Sequence, residues 1–146
     1  MKDQVSFKIE GLDALIKKLG KLPIEIEKEV ANEVNASALA IQSKAKRDVK
    51  VDNSTLRSSI QLISIFQDKR IIYSVGSRLK YAPYVEFGTG GLVNVPAGFE
   101  AFAMQFKGKG IRKINLRPRP YLIPAFENEI PILRKNIQKV IANVKS

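Results

Sequence analysis

One long apolar stripe constrains the fold of this chain most strongly. Between Pro23 and Val49, apolar residues recur at steps of three or four, and a proline suits the first turn of a helix. The stripe consists of Ile26, Val30, Val34, Ala38, Ile41, Ala45 and Val49. Glutamates crowd its start and lysines and arginines its end, which complements the helix macrodipole. The pattern predicts one amphipathic helix, roughly 40 Å long at 1.5 Å per residue.

A change to isoleucine-rich segments after this helix predicts a β-hairpin. The segments 58–66 and 70–75 are rich in β-branched residues, and a spacer of polar residues, Gln67, Asp68 and Lys69, separates them. The residues 52–55 (Asp-Asn-Ser-Thr) are typical of turns and helix caps. We therefore expect them to join the long helix to the hairpin.

The two ends of the chain add further elements. Alternation of Val5, Phe7 and Ile9 with polar residues predicts a short strand, and 12–19 a short helix ended by Gly20. A last helix is expected from Tyr121, with Pro131 kinking or restarting it. Its apolar stripe consists of Phe126, Ile130, Leu133, Ile137, Val140 and Val144.

Three shorter segments lie between the hairpin and the last helix. A helical turn is expected at 81–87, followed by a loop at 88–91, where three of four residues are glycine. The segment 96–106 fits a helical face or an alternating strand, and we favour the helix. Lys107 to Gly110 predicts a turn, and 111–116 a strand or an extended arm.

Together these elements predict an α+β fold. We expect a small antiparallel sheet packed by one long helix and a C-terminal helix, within a single domain spanning residues 1–146. At 146 residues the chain suits one domain with its own core, and an apolar content of 45% favours a globular fold.

Composition excludes several kinds of site. The chain has no cysteine and no histidine, so the usual zinc, haem and iron–sulfur ligands and the commonest general base are missing. No cofactor or metal is expected. The first ten residues contain no apolar run typical of a signal peptide, and no segment has the eighteen apolar residues of a membrane span. We therefore expect synthesis in the cytoplasm and no contact with a membrane.

The positive charge is concentrated late in the chain. The formal net charge is +11, and residues 101–126 contain no acid. Four cations there, Lys107, Lys109, Arg112 and Lys113, are candidate contacts for DNA or for an acidic protein. A solvated face that only aids solubility is the alternative.

Two segments carry unusual combinations of aromatic residues, prolines and glycines. They are YAPYVEFGTGG at 81–91 and RPRPYLIPAF at 117–126. We expect arms at 88–98 and 107–120 that contact neighbouring subunits, because proline lowers the entropy lost when an arm is ordered. The expected interface residues are Tyr84, Glu86, Phe87, Gly88, Thr89, Arg117, Pro118, Arg119, Pro120 and Tyr121.

Glu86 is the carboxylate most open to a chemical interpretation. It lies between Val85 and Phe87, and burial could make it a general acid. Without a histidine, a cysteine or a second acid at useful spacing, such a carboxylate more often serves in an ion pair or a cap, and we favour an ion pair with an arginine. Arginines 57, 117 and 119 are the candidate partners. The glycines at 88–91 lack the Lys-Ser/Thr pair of a phosphate loop, so nucleotide binding is not expected.

Three segments, in order, resemble one family. VDNSTLRSSI at 51–60, YAPYVEFGT at 81–89 and RPYLIPAF at 119–126 are similar to segments of a morphogenesis family of tailed bacteriophages. The opening GLDAL at 11–15 is similar to the family's usual start. Asn53 and Ser54 depart from the Thr-Gly pair often found there.

The resemblance implies a role in assembly. The family comprises neck, head–tail joining and tail-completion proteins, also called minor tail proteins, of long-tailed phages and prophages. It implies a non-enzymatic α+β subunit of the virion at the head–tail junction. Its partners would be its own copies in a cyclic ring compatible with six-fold symmetry, head-completion or connector proteins, and tail-terminator or tail-tube proteins, with DNA in the channel.

Two other functions remain open from the residues alone. A small basic nucleic-acid-binding protein would use the cations after Phe106. A hydrolase would need Glu86 and Asp52 as a catalytic pair, and no base accompanies them.

Overall fold

A computed structural model describes residues 24–50, 53–67, 70–104 and 116–144. The predicted strand at 5–9, the helix at 12–19, the turn at 107–110 and the arm at 111–115 lie outside the described residues, as do Asp52 and four candidate contact residues, Lys107, Lys109, Arg112 and Lys113.

The described elements alternate helices with one hairpin. In chain order they are α1 (Ile24–Asp48), α2 (Ser54–Ser59), β1 (Gln61–Gln67), β2 (Arg70–Gly76), α3 (Ala82–Phe87), a 3₁₀ turn (Gly90–Leu92), α4 (Glu100–Met104) and α5 (Ile123–Val144). The α+β prediction is confirmed: an antiparallel hairpin packs with the long α1, and α1 packs against the C-terminal α5.

Helix α1 follows the apolar stripe closely. Ile26, Val30, Ala38, Ile41 and Ala45 are all buried along it. Glu25 and Glu27 occupy its first turn, and Lys46 and Arg47 its last. The helix therefore has the predicted charge polarity, and it ends at Asp48, one residue before the predicted end.

The start of the hairpin differs from the prediction. Ser58 and Ser59 belong to helix α2, and β1 begins only at Gln61. The hydroxyl of Ser59 donates to the carbonyl of Leu56 at 2.6 Å, a local bond that serines make readily in helical turns. The strand pairing itself is confirmed, since β1 and β2 are antiparallel with Phe66 opposite Ile71 and Leu62 opposite Val75.

Helices α1 and α5 lie antiparallel. Ile26 and Val30 near the start of α1 form one core cluster with Leu133 and Ile137, beyond the first turns of α5. Further along α1, Lys44 makes an ion pair of 2.8 Å with Glu129, near the start of α5. The same carboxylate accepts a hydrogen bond of 3.1 Å from the Ser37 hydroxyl, so this buried acid is paired.

Helix α5 runs without interruption through Pro131, so the predicted restart there is wrong. It begins at Ile123, two residues after the predicted start. The helix predicted at 96–106 is confirmed only at Glu100–Met104, and a turn at 97–98 precedes it. In the described part of the chain, no helix combines the length and apolar character needed to cross a bilayer.

Candidate functional site

Glu86 occupies the N-terminal end of helix α5. Its side chain projects from α3 and is buried. One carboxylate oxygen accepts hydrogen bonds from the backbone N–H groups of Tyr121 at 2.9 Å and Leu122 at 3.0 Å, and the other accepts one from Ile123 at 2.9 Å. The first N–H groups of a helix have no partner within the helix, and they carry its positive dipole end. The carboxylate therefore satisfies donors that burial would otherwise leave unpaired.

The predicted ion pair between Glu86 and an arginine is wrong: the carboxylate instead caps the start of α5. Among the described residues, the ion pair recorded is Lys44 with Glu129, and none involves Glu86. Arg57 instead donates to the backbone carbonyls of Lys46 at 3.1 Å and Val49 at 2.8 Å. Arg57 thus donates to backbone carbonyls and not to a carboxylate, and it closes the C-terminal end of α1.

Further hydrogen bonds join the segments on either side of Glu86 and the start of α5. The N–H of Arg119 donates to the carbonyl of Val85 at 2.7 Å, and that of Thr89 to the carbonyl of Leu116 at 3.0 Å. The hydroxyl of Thr89 accepts the N–H of Leu116 at 2.8 Å. Residues 85–89 and 116–119 are thus tied together side by side. We call residues 85–89 and 116–123 the junction.

Gly88 lies where the junction is most crowded. Its φ is 80° and its ψ −178°, a conformation that residues with a side chain rarely adopt. A Cβ placed there would lie 2.7 Å from the carbonyl oxygen of Leu116 and 3.0 Å from that of Leu92. Both neighbours are backbone atoms, so they cannot turn aside as a flexible side chain would. The position requires glycine.

Tyr121 fills the space beneath the cap. Its side chain is 1% exposed and belongs to the core cluster of Leu56, Ile60 and Phe87. Burial, with the nearby Glu86 carboxylate, raises the pKa of the Tyr121 phenol. Its hydroxyl is the buried side-chain polar atom without a hydrogen-bond partner in the described residues.

The residues predicted for an interface fall into two groups. The junction buries Glu86, Phe87, Gly88, Thr89 and Tyr121 within the subunit, where they join α3 to α5. Arg117, Arg119 and Pro120 are exposed, and Tyr84 and Pro118 are partly so. The structure thus brings the two aromatic and proline-rich segments together. Their contact with a neighbouring subunit stays a prediction.

The free energy of unfolding should depend on pH through Glu86. Burial raises the pKa of its carboxyl above the ordinary value of 4.5, against the lowering effect of the three backbone N–H groups. The folded protein therefore holds this proton more tightly than the unfolded chain, so the contribution is full below the unfolded pKa and is lost as the pH rises through the folded pKa. Denaturant unfolding of the native protein and Glu86→Gln across pH 4 to 8 tests this. The stability advantage of the native protein should shrink with rising pH, and an advantage that grows would contradict the assignment.

The sequence analysis missed an apolar surface on the hairpin. Leu62, Tyr73 and Val75 share one face of the hairpin and pack on the core. The same face continues to the cross-strand pair Phe66 and Ile71, which are 75% and 48% exposed. The hairpin thus extends its core-facing side beyond the body of the subunit.

The other face of the hairpin is also apolar near its tip. Ile63, Ile65 and Ile72 lie there, and Ile65 is 47% exposed. Strands that are apolar on both faces are normally covered on both. The signal was present in the sequence as apolar runs interrupted by Ser64 and Ser74, but runs of that kind equally fit a buried core strand. We call Ile65, Phe66 and Ile71 the hairpin tip.

The described residues offer little support for catalysis. Both carboxylate oxygens of Glu86 are engaged with backbone N–H groups. No group of three or more His, Cys, Asp or Glu side chains that could hold a metal occurs within the parts of the chain that the structure describes.

Comparison with protein families gives one match. The family model "Bacteriophage HK97-gp10, putative tail-component" covers residues 13–88, from before α1 to the residue after α3, which is more than half of the chain. The chain belongs to this HK97-gp10-like family. It is thus a structural phage tail component, located in the virion and in contact with other virion proteins. No curated protein and no solved structure matches it.

The family match covers only one side of the junction. The family match ends at Gly88, whereas the residues that Glu86 and Thr89 bind lie between Leu116 and Ile123. Within the matched region lie α1, α2, the hairpin and α3. The tail component therefore completes its fold with a C-terminal segment that the match does not cover.

Proposed function

We propose that this tail component forms a ring at the phage head–tail junction, where it completes the tail or joins it to the DNA-filled head. The family match is the observation that carries the proposal, because it assigns the chain to the tail and to a structural role. The resemblance of the segments at 51–60, 81–89 and 119–126 to neck and tail-completion proteins supports the finer position at the junction.

Exposed apolar surface on the hairpin supports a role in assembly. Phe66 alone is 75% exposed, and its neighbours Ile65 and Ile71 are about half exposed. Phe66 and Ile71 form a cross-strand pair on one face of the hairpin, and Ile65 lies on the other face. Exposed apolar patches on soluble proteins typically mark contacts with other proteins. Another subunit of the particle would cover the hairpin tip and remove this surface from water.

The hydrogen-bonded junction also suits a subunit that must fit a defined position in an assembly. Four hydrogen bonds to side-chain oxygens and two backbone hydrogen bonds fix α3, the 116–119 segment and α5 relative to one another. A piece that must fit a fixed ring geometry gains from such preorganisation, because less conformational entropy is lost on assembly.

Electron microscopy of purified virions tests the proposal. Particles carrying an epitope tag on this chain should bind the corresponding antibody fragment at the neck, between the head and the tail tube. Native mass spectrometry of the purified protein should find closed oligomers, alone or on the head connector. Labelling at the distal tail tip, or absence of the protein from particles, would contradict the proposed position.

Removal of the exposed phenyl ring of Phe66 should reduce assembly into particles without changing the stability of the free subunit. We expect Phe66→Ser to lower incorporation into particles by about ten-fold, since burying a phenylalanine stabilises a contact by roughly 1.5–3 kcal/mol. The free energy of unfolding of the free subunit should change by less than about 0.5 kcal/mol, because the side chain is already exposed. Quantitative immunoblots of purified particles and denaturant unfolding measure the two effects. Gln61→Ser, an exposed change on the same strand, is the control and should alter neither.

A further inference from the structure

Helix α1 carries an exposed row along its outer side. Glu25, Glu29, Asn32 and Ala36 are spaced at four, three and four residues, so they lie on one face. All four are exposed, in contrast to the buried stripe that faces the core. We call them the acidic row.

Helix α5 carries a matching row with the opposite charge. Asn128, Ile132, Lys135 and Lys139 have the same spacing and are also exposed. Ile132, at 46% exposed, is an apolar residue in the middle of the row. We call these four residues the basic row.

Neither row is neutralised within the described part of the subunit. The ion pair recorded there joins Lys44 to Glu129, and neither residue belongs to a row. Two glutamates four residues apart repel each other on a helix, as do two lysines. Each row therefore presents a pair of like charges that a partner of opposite sign would stabilise.

The two rows fit each other when α1 of one copy lies antiparallel to α5 of another copy. With Glu25 opposite Lys139, Glu29 lies opposite Lys135, because the spacings match in reverse. Asn32 then lies opposite Ile132, and the small Ala36 opposite Asn128. This orientation is the one that α1 and α5 already adopt within the subunit, where Ile26 and Val30 pack with Leu133 and Ile137.

We infer that neighbouring copies of this chain associate laterally, with the acidic row of one copy against the basic row of the next. The inference rests on the proposed function in taking the partner to be a second copy. Each copy uses two different surfaces, so the contact is heterologous and leaves one row free at each end until the ring closes. In the closed ring, α1 and α5 helices alternate around the circumference.

Charge reversal and its rescue test the pairing. Glu25→Lys/Glu29→Lys places like charges across the contact, and so does Lys135→Glu/Lys139→Glu. Each double variant should weaken self-association by about ten-fold or more, since opposed like charges are strongly unfavourable in an interface. The chain carrying all four changes should associate as the native protein does. Failure of the combined variant to recover association would overturn the inference.

Matched controls separate the contact from effects on the helices. Glu27→Lys makes the same change in the first turn of α1 but lies outside the acidic row. Arg134→Glu is the equivalent on α5. Both should leave association within about two-fold of native, because exposed charges away from a contact contribute little. Analytical ultracentrifugation at low and high salt measures association, which should weaken as salt screens the pairs.

Disulfide trapping identifies which surfaces meet. Because the chain contains no cysteine, Asn32→Cys and Ile132→Cys introduce single thiols. Mixing the two variants under oxidising conditions should give a cross-linked heterodimer, whereas each alone should not cross-link. Cross-linking of Asn32→Cys with itself would instead indicate two α1 helices pairing about a two-fold axis and would overturn the inference.

The outcome also separates this inference from the proposed function. Rings at the neck that form normally in both charge-reversed variants would leave the ring intact and exclude these rows as its contact. Absence of the native protein from particles would instead remove the proposed function itself.

Discussion

Glu86→Ala should lower the free energy of unfolding by about 3–5 kcal/mol, the range expected when one partner of a buried charged interaction is removed. Three backbone N–H groups, of Tyr121, Leu122 and Ile123, lose their acceptor at once. Natural domains are stable by only about 5–15 kcal/mol, so this loss would remove a large part of the total stability. Denaturant unfolding followed by circular dichroism measures the loss.

Two companion variants show whether the loss belongs to the cap. Glu86→Gln keeps one oxygen acceptor and should lose less than Glu86→Ala. Glu127→Ala removes an exposed carboxylate from the same helix start and should change stability by less than about 0.5 kcal/mol. A loss below about 1 kcal/mol in Glu86→Ala would mean that water replaces the carboxylate, and the capping assignment would have to be abandoned.

Gly88→Ala should have a comparable effect through sterics. The new Cβ would meet the carbonyl oxygens of Leu116 at 2.7 Å and Leu92 at 3.0 Å, and the positive φ of 80° adds backbone strain. We expect a loss of about 2–4 kcal/mol, combining overpacking with an unfavourable backbone conformation. The hydrogen bonds between Thr89 and Leu116 should weaken as the segments separate, which amide hydrogen exchange would report at Leu116.

Two other glycines separate the cost of the positive φ from the cost of the steric clash. Gly98 has a φ of +91° but open space around its Cβ position, so Gly98→Ala measures the backbone strain alone. Gly91 has a Cβ position with nothing within 4 Å and no unusual φ, so Gly91→Ala should be nearly neutral. Equal losses at Gly88 and Gly98 would show that the close approach to Leu116 does not matter.

The periodic parts of the fold could be predicted from the sequence because their signal is local. Ile26 through Val49 mark the buried face of α1 by spacing alone, and the hairpin follows from β-branched residues around a short spacer. Ser58 and Ser59 were predicted in the strand but lie in helix α2. Their hydroxyls donate to backbone carbonyls three residues earlier, which favours the helical turn. Local patterns do not register such competition.

The candidate site was harder to predict because its partners are backbone groups. The sequence shows charged side chains, so arginines were the visible partners for Glu86. The actual donors are N–H groups 35 to 37 residues away, and every residue except proline carries one. Only the path of the chain selects Tyr121, Leu122 and Ile123. The segments themselves, YAPYVEF and RPRPY, stand out by their unusual composition, but their contact with each other within the subunit was not predicted.

The bond from Glu86 to the start of α5 has a consequence for synthesis on the ribosome. Until Ile123 has left the exit tunnel, the carboxylate lacks its full set of three donors. Ser37 and Lys44 gain their partner Glu129, which lies 92 and 85 residues downstream, later still. Contacts so distant along the chain form late. A nascent polypeptide halted before α5 would therefore stay open to proteases, and only molecules whose translation has passed this helix would enter the growing virus.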